Sequence, residues 1–238
     1  TGKVGKTSYG VISARDESSS LLLPFEETST VVSMGKSSSN IVRLKRMLKN
    51  GGSIGGIITN RTFDNAGDMT TGGIDFHYHP GNNLHLTLHG TASVHNESSN
   101  LEYNPEEEDI ALQMIDGNTT AFDGETISGN ALGFSLNKMN RTDRSGITLR
   151  LRSPGFRTSN GFEKNNSTKW LKLGKGKTVY YDNHPSLLKL DYGFEGVYKT
   201  NYDGLVKKKE IEFKTSISFV DGSSMSVDVS MQDENFRG

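Results

Sequence analysis

Apolar residues in this chain alternate with polar ones more often than they cluster, most clearly near its end. In Ile211–Phe219 they fall at Ile211, Phe213, Ile217 and Phe219, and in Met225–Met231 at Met225, Val227, Val229 and Met231. A period of two marks strands with one apolar and one polar face. The connection must keep both apolar sets on one side. A two-residue Asp221-Gly222 turn would set Phe219 against Ser224, so an odd loop is expected, with Ile217 opposite Val227. The intervening Ser216, Ser218, Ser226, Asp228 and Ser230 form a polar face able to border water or a neighbouring subunit.

The same pattern predicts strands at Lys3–Ala14, Thr30–Met34, Gly133–Lys138 and Gly146–Arg152, with a hairpin-like segment over Gly73–Val94. Asn40–Asn50 spaces Ile41, Leu44 and Leu48 at helical intervals before Gly51, and is read as a basic amphipathic helix or a bulged strand. Pro105–Ile115, capped by Asn104 and opened by Glu106–Glu108, is predicted to be a helix. The glycine-rich 51–68 stretch is read as a long loop. The polar Ser153–Lys177 stretch is read as an exposed excursion.

Composition supports a mainly β (β-rich α+β) fold, a β-sandwich or barrel with one or two short helices and long loops, forming one domain over residues 1–238. Only 32% of residues are hydrophobic and there are 27 glycines, so turns are plentiful and the core is thin. The net charge of -1 gives no footing for non-specific nucleic-acid binding. The absence of cysteine excludes disulfides, thiolate metal sites and a cysteine nucleophile. No window approaches the roughly 18 apolar residues of a helical span, and the opening residues lack an apolar leader. No membrane span is therefore expected, and synthesis is placed in the cytosol.

Candidate chemistry gathers between Asp68 and Gly90. His77 and His79 stand two apart, and His85 and His89 follow across Pro80-Gly81-Asn82-Asn83. Imidazoles on adjacent strands can hold zinc. A tight turn at Gly81-Asn82 pairs Tyr78 with His85, which separates the two histidine pairs onto opposite faces; a three-residue turn would reunite them. The expectation is therefore no metal and no cofactor, with a His77/His79 zinc enzyme as the rival. Gly5-Lys6-Thr7 and Gly35-Lys36-Ser37 lack the glycines and helix of a phosphate loop. Glu106–Asp109 is read as a solvated helix start, and Lys207–Lys209 as a solvated strand start at an exposed edge. No catalytic serine elbow or metalloprotease motif is present.

Thr71, Gly73, Ile74, Phe76, Pro80, Leu84, Leu86, Leu88 and Gly90 form a strand, a proline turn and a leucine run closed by glycine. This arrangement resembles the central signature of bacteriophage tail tube proteins, with weaker echoes in the Gly-Lys-x-Gly-Lys-x-Ser-Tyr-Gly opening and at Glu26–Thr28. The resemblance implies a virion structural subunit without catalysis, assembled in the host cytoplasm into stacked hexameric rings through which DNA passes without sequence-specific contacts. Its partners would be copies of itself and sheath, baseplate or tail-terminator proteins. The alternative from another class is a carbohydrate-binding module using Trp170, Tyr180, Tyr181, Tyr198 and Tyr202.

Overall fold

A computed structural model describes residues 1–81, 83–99, 117–119 and 121–235. Among the described residues, twelve antiparallel strands follow one another in a single sheet whose spatial order is the order of the chain. They are β1 (Gly2–Val4), β2 (Thr7–Pro24), β3 (Ser29–Met47), β4 (Ser53–Phe63), β5 (Gly67–Gly81) and β6 (Leu84–Glu97), then β7 (Thr126–Met139), β8 (Asp143–Arg152), β9 (Thr168–Tyr180), β10 (Leu187–Asn201), β11 (Val206–Phe219) and β12 (Ser224–Glu234). The fold is mainly β. It is a meander rather than a sandwich, and no pairing joins β12 to β1, so the sheet is open. Among the described residues the only helical element is a 3-10 turn at Lys49–Gly51.

The sheet curls. Lys207 on β11 binds Glu26, 2.6 Å away, and Glu27 in the β2–β3 turn, and Asn201 on β10 reaches Glu26 at 3.3 Å. These elements stand far apart in the strand order and meet only because the sheet bends round. Short turns join strands at one end: β1–β2, β3–β4, β5–β6, β7–β8, β9–β10 and β11–β12. The other end carries the long β6–β7 and β8–β9 connections and the tip of the β2–β3 hairpin. We call these the turn side and the loop side. The buried apolar core lies at the loop side, where Leu21, Leu23, Phe25, Val32, Met34, Phe63, Ala66, Met69 and Phe122 pack beneath the hairpin tip.

Several expectations change. Asn40–Asn50 is strand through Met47, because its side chains alternate between faces: Val42 and Leu44 to one, Ile41, Arg43 and Lys45 to the other. The 51–68 stretch is β4, the 64–66 turn and the start of β5, not a loop. The polar stretch divides: Thr168–Lys177 belongs to β9, whereas Ser153–Ser167 folds inward, with Arg157 and Asn166 each 1% exposed. Lys207 is buried rather than solvated, and β11 is an interior strand. The Pro105–Ile115 helix and Glu106–Asp109 lie outside the described residues.

The closing hairpin keeps its apolar sets on one face, as the alternation requires. A three-residue loop sets Ile217 opposite Met225 rather than Val227, with the Phe219 amide donating to the Ser223 carbonyl at 2.9 Å.

Candidate functional site

Residues paired across an antiparallel ladder point to the same side of the sheet. Pairing therefore carries the two faces from strand to strand. One face takes Val11, Val42, Ile58, Ile74, Leu88, Leu132, Leu149, Leu173, Phe194, Ile211 and Val229. Many of these are open to solvent: Ile74 is 72% exposed, Ile211 67% and Val229 60%. The other face takes Arg43, Asp75, His77, His89, Arg150, Lys172, Glu195, Lys214 and Asp228. Residues of this polar face from β7 through β12 line one groove of about 720 Å³, so the polar face is concave and the apolar face convex.

The apolar residues form an oblique band. The ladder row that begins at Arg46 on β3 runs through Ile54, Phe76, Leu88, Phe134, Leu149 and Leu171, then leaves the band at Lys209 on β11 and Asp233 on β12. On β10 and β11 the band lies nearer the turn side, at Leu190–Tyr198 and Ile211–Phe219. Strands inclined to a common axis, as in barrels, bring such a band to constant height. Towards the loop side it gives way to a belt of hydrogen-bonded polar side chains. Ser13 donates to Asn40 at 2.9 Å, Arg15 to Ser38 at 2.8 Å and Asp64 at 2.6 Å, and Asn60 to Thr70 at 3.0 Å. Tyr9 and Tyr78 stand at the turn-side margin of the band and Tyr198 at its loop-side margin.

The histidines share the concave face. A register shift between Tyr78 and Gly81 pairs Tyr78 with Leu86 and His77 with Thr87, which overturns the tight-turn pairing of Tyr78 with His85. Gly81 and Asn83 take positive φ, 96° and 58°, and supply the extra residue. His77, His79, His85 and His89 then face one way, while Leu84, Leu86 and Leu88 enter the apolar band. The His79 and His85 rings meet edge-on at 4.6 Å. His77 lies 3.3 Å from Thr87 Oγ1 and 3.6 Å from Asp75, and Asp75 pairs with Arg43 at 2.5 Å. A side chain at Gly55 would press on the ends of that ion pair, and one at Gly133 on the His89 ring, so a substitution at either position would displace them. Burial, then the charges of Arg150 and Arg152, push the His89 pKa down. Among the described residues no three His, Asp or Glu side chains converge to hold a metal ion.

Further round, the concave wall carries charge of both signs. Asp191 accepts from Lys189 at 2.8 Å and Thr178 at 2.5 Å, which hold its pKa down. Lys172 pairs with Glu195, and Lys214 with Glu212 at 2.8 Å. The aromatics proposed as a sugar platform are dispersed. Trp170 faces inward beneath Arg150 at 5.1 Å, Tyr198 faces outward, Tyr180 stacks with Arg141 and Tyr202 with Lys169.

At the loop-side mouth, Arg157 Nη1 donates to Glu97 Oε1 at 2.9 Å and lies 3.3 Å from His95 Nδ1. All three are buried. Burial outweighs the attraction of Arg157 and pushes the Glu97 pKa up to about 7. Burial and the same guanidinium push His95 down to about 3. Sequence reading missed this triad because Arg157 is remote in sequence and stands in a stretch polar enough to pass for surface. Comparisons with known protein families, curated protein sequences and solved structures find no match.

Proposed function

We propose that this chain forms the wall of a membrane-embedded β-barrel, with its convex face against lipid and its concave face around an aqueous interior. One observation carries the reading: a continuous, exposed apolar band oblique to the strands, bordered by polar residues and backed by a charged concave face. In water such a band is a large exposed patch of the kind soluble monomers avoid. In a bilayer it is the expected exterior of a barrel, whose strands alternate apolar-out and polar-in. The dimensions agree. Leu190–Tyr198 and Ile211–Phe219 each extend roughly 30 Å, or about 23 Å of height after a 40° tilt, against an apolar belt of about 25 Å. Short turns at one end and long connections at the other also suit this class.

No helix among the described residues is long and apolar enough to cross a membrane, but strands follow a different rule. Lipid cannot satisfy open backbone groups. The free edges at β12 and β1–β2 must therefore pair, with strands beyond these residues or with a second copy.

The phage tail tube remains the second reading. The open edges favour it, since copies could join edge to edge around a ring. The convex band would then need a covering layer of protein. Flotation with phospholipid vesicles tests both. The barrel reading expects the refolded protein to float with vesicles and to need detergent without them. Rings or filaments forming in lipid-free water, visible by negative stain, would sink the barrel and favour the tube.

A further inference from the structure

The segment between β8 and β9, Ser153–Ser167, crosses the inside of the loop-side mouth. Phe156 and Gly155 lie against Ser128 and Gly129 of β7, leaving no room for a side chain at Gly129. The Arg157 amide donates to Ser93 Oγ on β6 at 3.3 Å, and Arg61 on β4 donates to the Ser159 carbonyl at 3.0 Å. Asn166 Nδ2 donates to the Pro24 carbonyl on β2 at 2.8 Å. The segment thus spans the concave side from β7 to β2 and is tied mainly by hydrogen bonds and the Arg157–Glu97 ion pair.

Those ties are incomplete. Arg157 Nε and Nη2, Glu97 Oε2, His95 Nε2, Thr158 Oγ1 and Ser159 Oγ are buried without a hydrogen-bond partner in the protein, as is Thr71 Oγ1 on the wall beneath. A half-satisfied buried polar network is costly, and hydration on withdrawal recovers much of that cost. Fixed structural elements are sealed by apolar contact; this segment has Phe156 as its only buried large apolar side chain. Beyond it lies the charged groove lined by Arg144, Lys172, Lys214, Asp191, Glu195 and Asp228.

We propose that Ser153–Ser167 is a removable plug, and that the concave face beyond it is a path for small hydrophilic solutes. The proposal rests on the barrel reading. Side chains of both signs line the groove, so passage includes uncharged sugars as well as ions of either charge.

The test uses the lack of cysteine in this chain. Thr71→Cys places a single thiol under the plug, at a site 6% exposed and without a hydrogen bond to lose. The protein is reconstituted in phosphatidylethanolamine–phosphatidylglycerol vesicles. Labelling by a membrane-impermeant maleimide and swelling in arabinose are then followed. Adding Glu97→Ala, which strands the Arg157 charge, is expected to raise both rates together, by on the order of tenfold or more. Arg61→Gln, acting at Ser159 in the middle of the segment and sparing the ion pair, raises both by less. Unchanged rates in both variants would overturn the plug, and faster labelling without faster swelling would overturn the path. Each sample is also floated. Protein that floats but fails these assays loses the plug alone; protein that never floats loses the barrel reading and the plug with it.

Discussion

The wall and the loop-side mouth are built from one sheet, yet they invert each other. At the mouth Leu21, Leu23, Met34, Met69 and Phe122 are at most 1% exposed, and polar side chains cover the outside. In the wall Ile74, Ile211 and Val229 are 60% exposed or more, while Arg43, Asp75 and Lys172 face the interior. The mouth follows the rule for a chain folding against water. The wall breaks that rule, and the barrel reading accounts for it by surroundings less polar than its inside. The two arrangements thus meet within one run of strands, and the boundary lies where the convex band meets the Ser13–Asn40 and Asn60–Thr70 belt.

Substitutions that should respond oppositely in the two regions test this contrast. The largest effect is expected at the mouth. Phe122→Ala opens the core and should cost about 3–5 kcal/mol, read by urea unfolding in detergent or vesicles. A loss within about 0.5 kcal/mol would remove the mouth as a packed core. In the wall, Ile74→Arg should cost about 2–4 kcal/mol in vesicles, as for arginine on a lipid-facing strand. A soluble protein with Ile74 in water would lose little, so a neutral outcome would remove the lipid-facing assignment.

The triad at the mouth sets a pH dependence with two opposed parts. Glu97 is raised from 4.5 to about 7, so its contribution is full below about 4.5 and fades as pH rises through about 7. His95 is lowered from 6.5 to about 3, so its contribution is present above about 6.5 and fades as pH falls towards 3. Asp123 and Glu125 hold Glu97 up, and Arg157 bears on both groups. Between about 4.5 and 6.5 the two parts offset. Glu97→Gln should therefore leave a mouth that loosens as pH falls below 6.5, and His95→Gln one that tightens as pH falls through 7. Hydrogen exchange across 153–167 reads both, and parallel profiles in the two variants would refute the assignment. The smallest effect belongs to the outer belt, where Ser13→Ala should change stability by about 0.5 kcal/mol or less; a larger loss would show that the belt is not a solvated rim.

How much of this was legible in the residues depended on how local the deciding physics was. The 211–231 alternation disclosed two strands, a shared face and an odd loop. The 78–86 turn did not disclose its register, because one inserted residue reverses every side chain after it, and the Pro80-Gly81-Asn82-Asn83 stretch admits either parity. Glycines at 51–68 resemble a loop until Gly55 is seen to lie under the Arg43–Asp75 pair. The 153–167 segment was misplaced because polarity signals exposure only when the protein interior is apolar.

The convex band escaped sequence reading for the same reason. A strand shows each face only every second residue, so 32% hydrophobic content and a mean hydropathy of -0.56 conceal the band. The sequence alone determined that the chain is mainly β, that it has no thiol chemistry, and that strands such as 211–219 carry an apolar and a polar face. It held every residue of the convex band but could not gather them, since each strand shows only a few. The tertiary structure decided which face is outside, that the histidines stand together within, and that Arg157 closes the mouth on Glu97. Those outcomes depend on register and curvature summed over twelve strands, and neither quantity is local to any stretch of the chain.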